Sequence, residues 1–142
     1  MAVVDSEIVD LISVIYDAVL NPAMWHEALD RIRLHFNFQT GVIALNRLVH
    51  EPIAMAIAVN IPEGYERFLS PEYADEIVRM WGGREIMERF PVEEPVALLS
   101  LTDERALLAN RYYTDFGVPN GLVDQAAMIL TRDRRQVGNI AF

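Results

Sequence analysis

Apolar residues over the first 36 positions recur at intervals of three and four, which is the spacing of amphipathic helices. Asp5 and Ser6 favour a helix start before the first stripe, which consists of Ile8, Leu11, Ile12, Ile15 and Val19. Asn21 as a cap and Pro22 at the first helical position introduce a second stripe, formed by Trp25, Ala28, Leu29, Ile32 and Phe36. The pattern predicts two amino-terminal amphipathic helices that pack as an antiparallel pair.

Between positions 40 and 61 the pattern changes to two short apolar runs, which predicts a β-hairpin. The strands are predicted at 40–48 and 53–61, with the turn at 49–52. Because successive strand residues point to opposite faces, the second strand places large side chains on one face, namely Ile53, Met55, Ile57 and Val59. The other face carries Ala54, Ala56 and Ala58. These small residues leave room for a bound ligand or for the close approach of a helix.

The middle of the chain has helical spacing interrupted by glycine and proline. Ser70 and Pro71 introduce a predicted helix that ends at Gly82. We also predict a short helix at 84–90, an extended segment at 96–101, and a helix from Thr102 that continues, with a break, to Phe116. A final hairpin is predicted from 123–131 and 136–142. This order predicts an α+β domain, with an antiparallel sheet flanked by helices.

Composition supports a single globular domain over residues 1–142. The chain is 52% apolar, without an internal repeat or a flexible linker. No apolar run reaches the roughly 18 to 20 residues needed to cross a bilayer. The absence of cysteine fits a reducing compartment. We therefore expect a soluble cytoplasmic protein with no membrane partner.

The sequence has no arrangement typical of catalysis, metal binding or phosphate binding. His26 and His35 are nine positions apart, unlike the one-turn spacing of a helical metal pair, and His50 lies in a predicted turn. The glycines at 82 and 83 lack the spacing of a phosphate-binding loop. We therefore predict no catalytic residue, no metal and no cofactor, and an enzyme ranks third among the functional hypotheses.

Aromatic residues are concentrated in the middle and late helices. Eight of the thirteen lie there, namely Tyr65, Phe68, Tyr73, Trp81, Phe90, Tyr112, Tyr113 and Phe116. Rings with a few polar groups are typical of sites for small apolar ligands. The predicted ligand-binding residues are Tyr65, Tyr73, Trp81, Tyr112, Tyr113 and Phe116. The alternative is that these rings form only the core and a dimer surface.

A family resemblance rests on residues around the last predicted helix, namely Leu107, Tyr113, Phe116, Pro119, Gly121, Leu122 and Asp124. They resemble a recurring signature in the amino-terminal regulatory half of bacterial LuxR-type transcription factors. In that family a domain related to the PAS and GAF folds precedes a helix-turn-helix domain. The resemblance implies a sensory domain that binds a small molecule or a partner and signals through a homodimer interface, with the amino-terminal helices as the expected dimer surface. It also implies a DNA-binding domain beyond residue 142.

The same resemblance indicates how the ligand differs. The acyl-homoserine lactone receptors use Tyr and Trp followed by an Asp-Pro pair, whose carboxylate accepts the ligand amide hydrogen. The comparable region here is Arg89-Phe90-Pro91. Losing a charge-assisted hydrogen bond costs about 1.5 to 3 kcal/mol, so we expect a different ligand or none.

One further expectation concerns nucleic acid, and one concerns an alternative function. A net charge of −9 opposes binding to a phosphate backbone, so we expect no nucleic acid to bind these residues themselves. The second functional hypothesis is a ligand-free structural module for dimerisation or interaction.

Overall fold

The structure is a computed structural model that describes residues 5–47 and 55–142. The predicted turn at 49–52, with His50, lies outside the described residues. So do the last residue of the first predicted strand and the first two of the second, Ile53 and Ala54.

The amino-terminal helices form the predicted pair. Helix α1 spans Ser6–Leu20 and α2 spans Trp25–His35, joined by a 3₁₀ turn at Pro22–Met24. The side chain of Asp5 caps α1 by accepting the N–H of Glu7 at 3.0 Å. Ala18 and Ala28 are almost completely buried between the helices, because small side chains allow the backbones to approach. Nδ1 of His35 lies 3.1 Å from the carboxylate of Glu7, which brings the end of α2 to the start of α1, as an antiparallel pair requires.

The described residues contain a five-stranded sheet. Its strands are β1 (Gly41–Arg47), β2 (Met55–Val59), β3 (Pro95–Ala97), β4 (Ala126–Arg132) and β5 (Gln136–Ala141). Their order is β2-β1-β5-β4-β3, and neighbouring strands are antiparallel. The predicted α+β class, an antiparallel sheet flanked by helices, is confirmed.

The two faces of the sheet pack against different elements. On one face Leu29 of α2 packs with Val59 and Ile140. The other face contributes Ile129, with Val96 and Val137 beside it, to a core of aromatic residues. The sheet is therefore the middle layer between the helical pair and the aromatic helices.

The second layer is a series of short helices. They are α3 (Pro71–Met80), α4 (Arg84–Met87) and α5 (Glu104–Leu108), with 3₁₀ turns at Tyr65–Leu69, Leu98–Ser100 and Val118–Asn120. A helical segment at 111–117 follows α5, and its part from Tyr113 to Gly117 is wound as a π-helix. None of the helices in the described ranges has the length and apolarity needed to span a bilayer.

Several predicted boundaries were wrong. Helix α4 ends at Met87 rather than at position 90, because Phe90 packs against Trp81 and precedes Pro91, which disfavours helical geometry. Helix α5 is capped by Asp103, not Thr102, since the Asp103 side chain accepts the N–H of Ala106 at 2.8 Å.

Three other predictions need correction. Ser70 begins α3 by accepting the N–H of Tyr73 at its backbone carbonyl, rather than through its hydroxyl. The segment predicted as extended at 96–101 is β3 followed by a 3₁₀ turn, in which the N–H of Leu101 bonds to the carbonyl of Leu98. The strands of the final hairpin are shorter than predicted, at Ala126–Arg132 and Gln136–Ala141.

Candidate ligand-binding cavity

The eight aromatic residues of the middle and late helices all lie in or against one cluster on a single face of the sheet. Five are buried, namely Tyr73, Trp81, Phe90, Tyr112 and Phe116. The other three, Tyr65, Phe68 and Tyr113, pack against them. Tilted and edge-on ring pairs connect the cluster, such as Tyr65 with Phe116 at 5.2 Å between centroids.

Asn110 fixes where the last helical segment begins. Its Oδ1 accepts the N–H of Tyr113 at 3.1 Å, and its Nδ2 donates to the carbonyl of Glu76 in α3 at 2.8 Å. Asn110 is only 7% exposed, so both bonds are sheltered from water. One side chain therefore caps the segment at 111–117 and fastens it to α3.

The π-helical part of this segment presents its residues to two different surroundings. Asp115 accepts a hydrogen bond from the Tyr73 hydroxyl of α3 at 2.7 Å. This bond, followed by burial, raises the pKa of Tyr73 above its usual 10.0. Tyr113, Phe116 and Gly117 line a cavity. π-turns are rare and occur frequently at functional sites.

The cavity has a volume of about 270 Å³. It lies among the connection from α2 to β1, the end of β5, and the chain from 116 to 126. Four of the six predicted ligand-binding residues line it, namely Tyr65, Tyr112, Tyr113 and Phe116. Tyr73 and Trp81 do not line it; they are 1% and 5% exposed in the core beside it. The structure thus places the six candidates together but divides them between wall and core.

The region comparable to the receptors' Asp-Pro pair is filled by hydrophobic side chains. Phe90 is buried, and its ring packs edge-on against Trp81 at 6.1 Å between centroids. The ring that replaces the carboxylate is thus part of the packed core.

Much of the cavity wall was not identified from the sequence. It includes Asn37, Phe38, Gln39, Thr40, Leu98, Leu122, Val123, Asp124, Gln125, Ala126 and Phe142. Most of these residues lie in connections or at strand ends, where the spacing of apolar residues does not predict which way a side chain points. Phe38 and Phe142 stack at 4.8 Å, although 104 positions separate them in the sequence. Two features of the sequence could have pointed to this part of the wall. Phe38 and Phe142 are aromatic, and Leu122 and Asp124 belong to the signature described above.

Two tyrosines bring hydroxyl groups to the cavity wall. Tyr65 and Tyr112 both line the cavity, and their side chains lie close to each other. Burial raises the pKa of both phenols, and the Tyr112 hydroxyl partly offsets this increase for Tyr65. Both groups are therefore neutral at physiological pH and act as hydrogen-bonding hydroxyls.

Asp124 is the one charged residue in the lining contributed by the described chain. It is exposed, and its Oδ1 accepts the N–H groups of Leu99 at 3.0 Å and Gln125 at 2.8 Å. This carboxylate holds the connection before β4 against the 3₁₀ turn at Leu98–Ser100.

The small side chains of β2 are not covered by α2. Helix α2 packs on the opposite face, where Leu29 contacts Val59, while Ala56 is exposed and Ala58 is half-buried. Neither alanine lines the cavity described above.

No cluster of three or more potential metal-binding residues occurs within the described ranges. The lining is instead dominated by aromatic and aliphatic side chains, with hydroxyl, amide and one carboxylate group. Such an arrangement can bind a small organic molecule through its surface and a few hydrogen bonds.

The fold is that of a known ligand-binding domain. The chain is similar to the crystal structure of the VqsR LBD domain from Pseudomonas aeruginosa, with a TM-score of 0.64 and 11% sequence identity. The similarity covers 93% of this chain and 76% of that one. No protein-family model matches the sequence, and no curated protein matches it. At this identity the similarity establishes a shared fold.

Proposed function

We propose that this chain is the sensory domain of a LuxR-type transcriptional regulator and that it binds a small, largely apolar molecule. The observation that carries the proposal is the aromatic cavity of about 270 Å³, in a fold shared with the VqsR LBD domain. The signature from Leu107 to Asp124 adds the link to this class of regulator.

The cavity wall supplies a route for a signal. A ligand would contact Tyr113, Phe116 and Gly117, and the same π-turn carries Asp115, which is bonded to Tyr73 of α3. A ligand that binds one arrangement of this turn more tightly would shift the population towards it. Helix α3 would then respond together with the wall.

The proposed readout is a homodimer formed through α1. Five large apolar side chains on this helix remain at least 48% exposed, namely Val9, Ile12, Tyr16, Val19 and Leu20. Their spacing of three and four places them along one side of the helix. A second copy would cover this stripe, and a DNA-binding domain beyond residue 142 would receive the change. Such a regulator would work in the cytoplasm.

Ligand binding is tested by thermal unfolding in the presence of a library of small organic molecules. A ligand at 100 times its dissociation constant should stabilise the domain by about 2.7 kcal/mol. Ala126→Phe should abolish the shift, because Ala126 lines the cavity and a ring would occupy it. Leu108→Phe is the matched control at a site that is 52% exposed and outside the lining.

The alternative function, a ligand-free interaction module, makes the opposite prediction. No compound would then raise the melting temperature of the wild-type domain, and Ala126→Phe would make no difference to the screen. That result would overturn ligand sensing while leaving the dimer proposal intact.

The dimer is tested by sedimentation at micromolar concentration. Ile12→Glu should convert the dimer to a monomer, because it places a charge in the centre of the exposed stripe. Leu108→Glu adds the same charge at a comparably exposed leucine on α5 and should leave the dimer unchanged. A monomeric wild-type mass would contradict the proposal.

A further inference from the structure

We infer that the cavity binds an uncharged, planar aromatic molecule with a carbonyl-type hydrogen-bond acceptor. This inference rests on the proposed sensory function, since it assigns a ligand class to the same site. The ligand class follows from three parts of the lining: the rings, the charged groups and the two tyrosine hydroxyls.

The shape of the wall favours a flat ligand of about one ring. Six aromatic side chains line the cavity, and Phe38 and Phe142 among them lie almost parallel, at 18°. Tyr112 and Phe116 form another pair at 5.4 Å and 36°. Rings stack on rings with favourable geometry. The volume of about 270 Å³ equals roughly nine waters at about 30 Å³ each, so the site suits a compact molecule.

The charge of the wall excludes ions. No Arg, Lys or His belongs to the lining formed by the described residues, so an anion would lose its hydration without gaining a cationic partner. Asp124 is the one group that could attract a cation, but it is exposed and its Oδ1 already accepts two backbone N–H groups. A neutral molecule loses the least hydration free energy when it enters the cavity.

The hydroxyl pair favours an acceptor on the ligand. Tyr65 and Tyr112 both line the cavity, so they bring two O–H donors to its wall. Either O–H can donate a hydrogen bond to an acceptor on a ligand that occupies the cavity. A carbonyl oxygen provides one without adding charge.

Four one-ring probes of similar size separate these contributions in ligand-observed NMR titrations. Acetophenone is neutral with a carbonyl, ethylbenzene is neutral without one, benzoate is an anion and benzylamine is a cation. We expect acetophenone to bind about fivefold more tightly than ethylbenzene. Both ions should bind at least about tenfold more weakly than acetophenone.

The Tyr65→Phe/Tyr112→Phe double variant assigns the acceptor contact. It keeps the rings but removes both hydroxyls, so acetophenone should lose its advantage while ethylbenzene binds as before. Both substitutions are needed, because either hydroxyl alone could donate to the carbonyl. Leu108→Phe, at an exposed residue outside the lining, is the control and should change neither affinity.

The outcomes separate this inference from the proposed function. Equal binding of acetophenone and ethylbenzene, or an acetophenone preference that the double variant retains, overturns the hydroxyl assignment. Tighter binding of benzoate or benzylamine, lost in Ala126→Phe, overturns the uncharged class but supports a sensory cavity. If none of the four probes binds up to its solubility limit, this inference fails, whereas the ligand-sensing proposal is decided by the thermal unfolding screen.

Discussion

The hydroxyl of Tyr73 donates a hydrogen bond of 2.7 Å to Oδ2 of Asp115, across 42 positions of sequence. Tyr73 belongs to α3 and is 1% exposed. Asp115 belongs to the π-helical turn whose residues Tyr113, Phe116 and Gly117 line the cavity. The guanidinium of Arg111 lies 5.5 Å from the centre of the Tyr73 ring and also pairs with Glu72 at 2.8 Å. These contacts join the cavity wall to α3.

The first prediction concerns this bond. Tyr73→Phe and Asp115→Ala should each lower the melting temperature, because each removes one partner of the pair. The double variant should be little less stable than the worse single variant, since the shared bond can be lost only once. Differential scanning calorimetry on the wild type, the two single variants and the double variant completes this double-mutant cycle. Strictly additive losses would contradict the coupling.

The second prediction concerns Asn110. Asn110→Ala removes the cap on the N–H of Tyr113 and the donor to the carbonyl of Glu76. Because the residue is 7% exposed, the abandoned groups are poorly hydrated, and we expect a loss of about 2 to 3 kcal/mol of unfolding free energy. Urea denaturation measures this loss. A change below about 0.5 kcal/mol would mean that water replaces both bonds.

The third prediction concerns alkaline pH. Burial raises the pKa of Tyr65 and Tyr112 above the value of 10.0 that applies to the unfolded chain. Above pH 10 the unfolded chain therefore releases protons that the folded chain still holds, and stability falls as pH rises. In that range each phenol lowers the free energy of unfolding by up to about 1.4 kcal/mol per pH unit. Well below pH 10 it has no such effect.

Urea denaturation between pH 8 and pH 11 tests this dependence. The wild-type domain should lose stability from about pH 10 upwards, because the pKa of tyrosine in the unfolded chain is 10.0. The Tyr65→Phe/Tyr112→Phe variant should show a shallower decline, because it lacks both groups. Identical slopes for the two proteins would rule out these phenols as the cause.

The fourth prediction concerns Gly117. A Cβ at this position would lie 3.1 Å from Cδ2 of Tyr113, while its φ of −62° is accessible to alanine. Gly117→Ala should therefore fold but displace the Tyr113 ring in the cavity wall. We expect acetophenone, if it binds as inferred, to lose roughly fivefold in affinity.

Gly64→Ala provides the contrasting control. Gly64 has a φ of +82° and nothing within 4 Å of an added Cβ. Alanine there should cost about 1 to 2 kcal/mol of stability through backbone strain, without changing ligand affinity. If both glycine variants weakened binding equally, the effect would reflect stability rather than the shape of the wall.

The family signature anticipated the fold more fully than the ligand. Gly121 has a φ of 70°, the left-handed conformation that ends the 3₁₀ turn at Val118–Asn120. Asp124 bonds the backbone of Leu99, and Phe116 is 3% exposed in the core. These residues shape the chain, so a sequence that keeps them can still change what its cavity binds.

Boundaries at local determinants were predictable from sequence. Asp5 caps α1, Pro71 opens α3, and Gly82 adopts a φ of 94° where α3 ends. Each acts on backbone groups within a few residues, so its effect is visible in the sequence itself. Strand β3 was harder to identify, because its three residues are defined mainly by pairing with β4.

The sequence by itself determined the two amphipathic helices, the two hairpins and the gathering of aromatic residues, because periodicity and capping act over short distances. Only the tertiary structure decided which rings became wall and which became core. Tyr73 and Tyr113 are equivalent by residue type, yet one bonds to Asp115 within the core and the other faces the cavity. That division depends on contacts between distant segments, such as Phe38 stacking on Phe142, which no local pattern encodes.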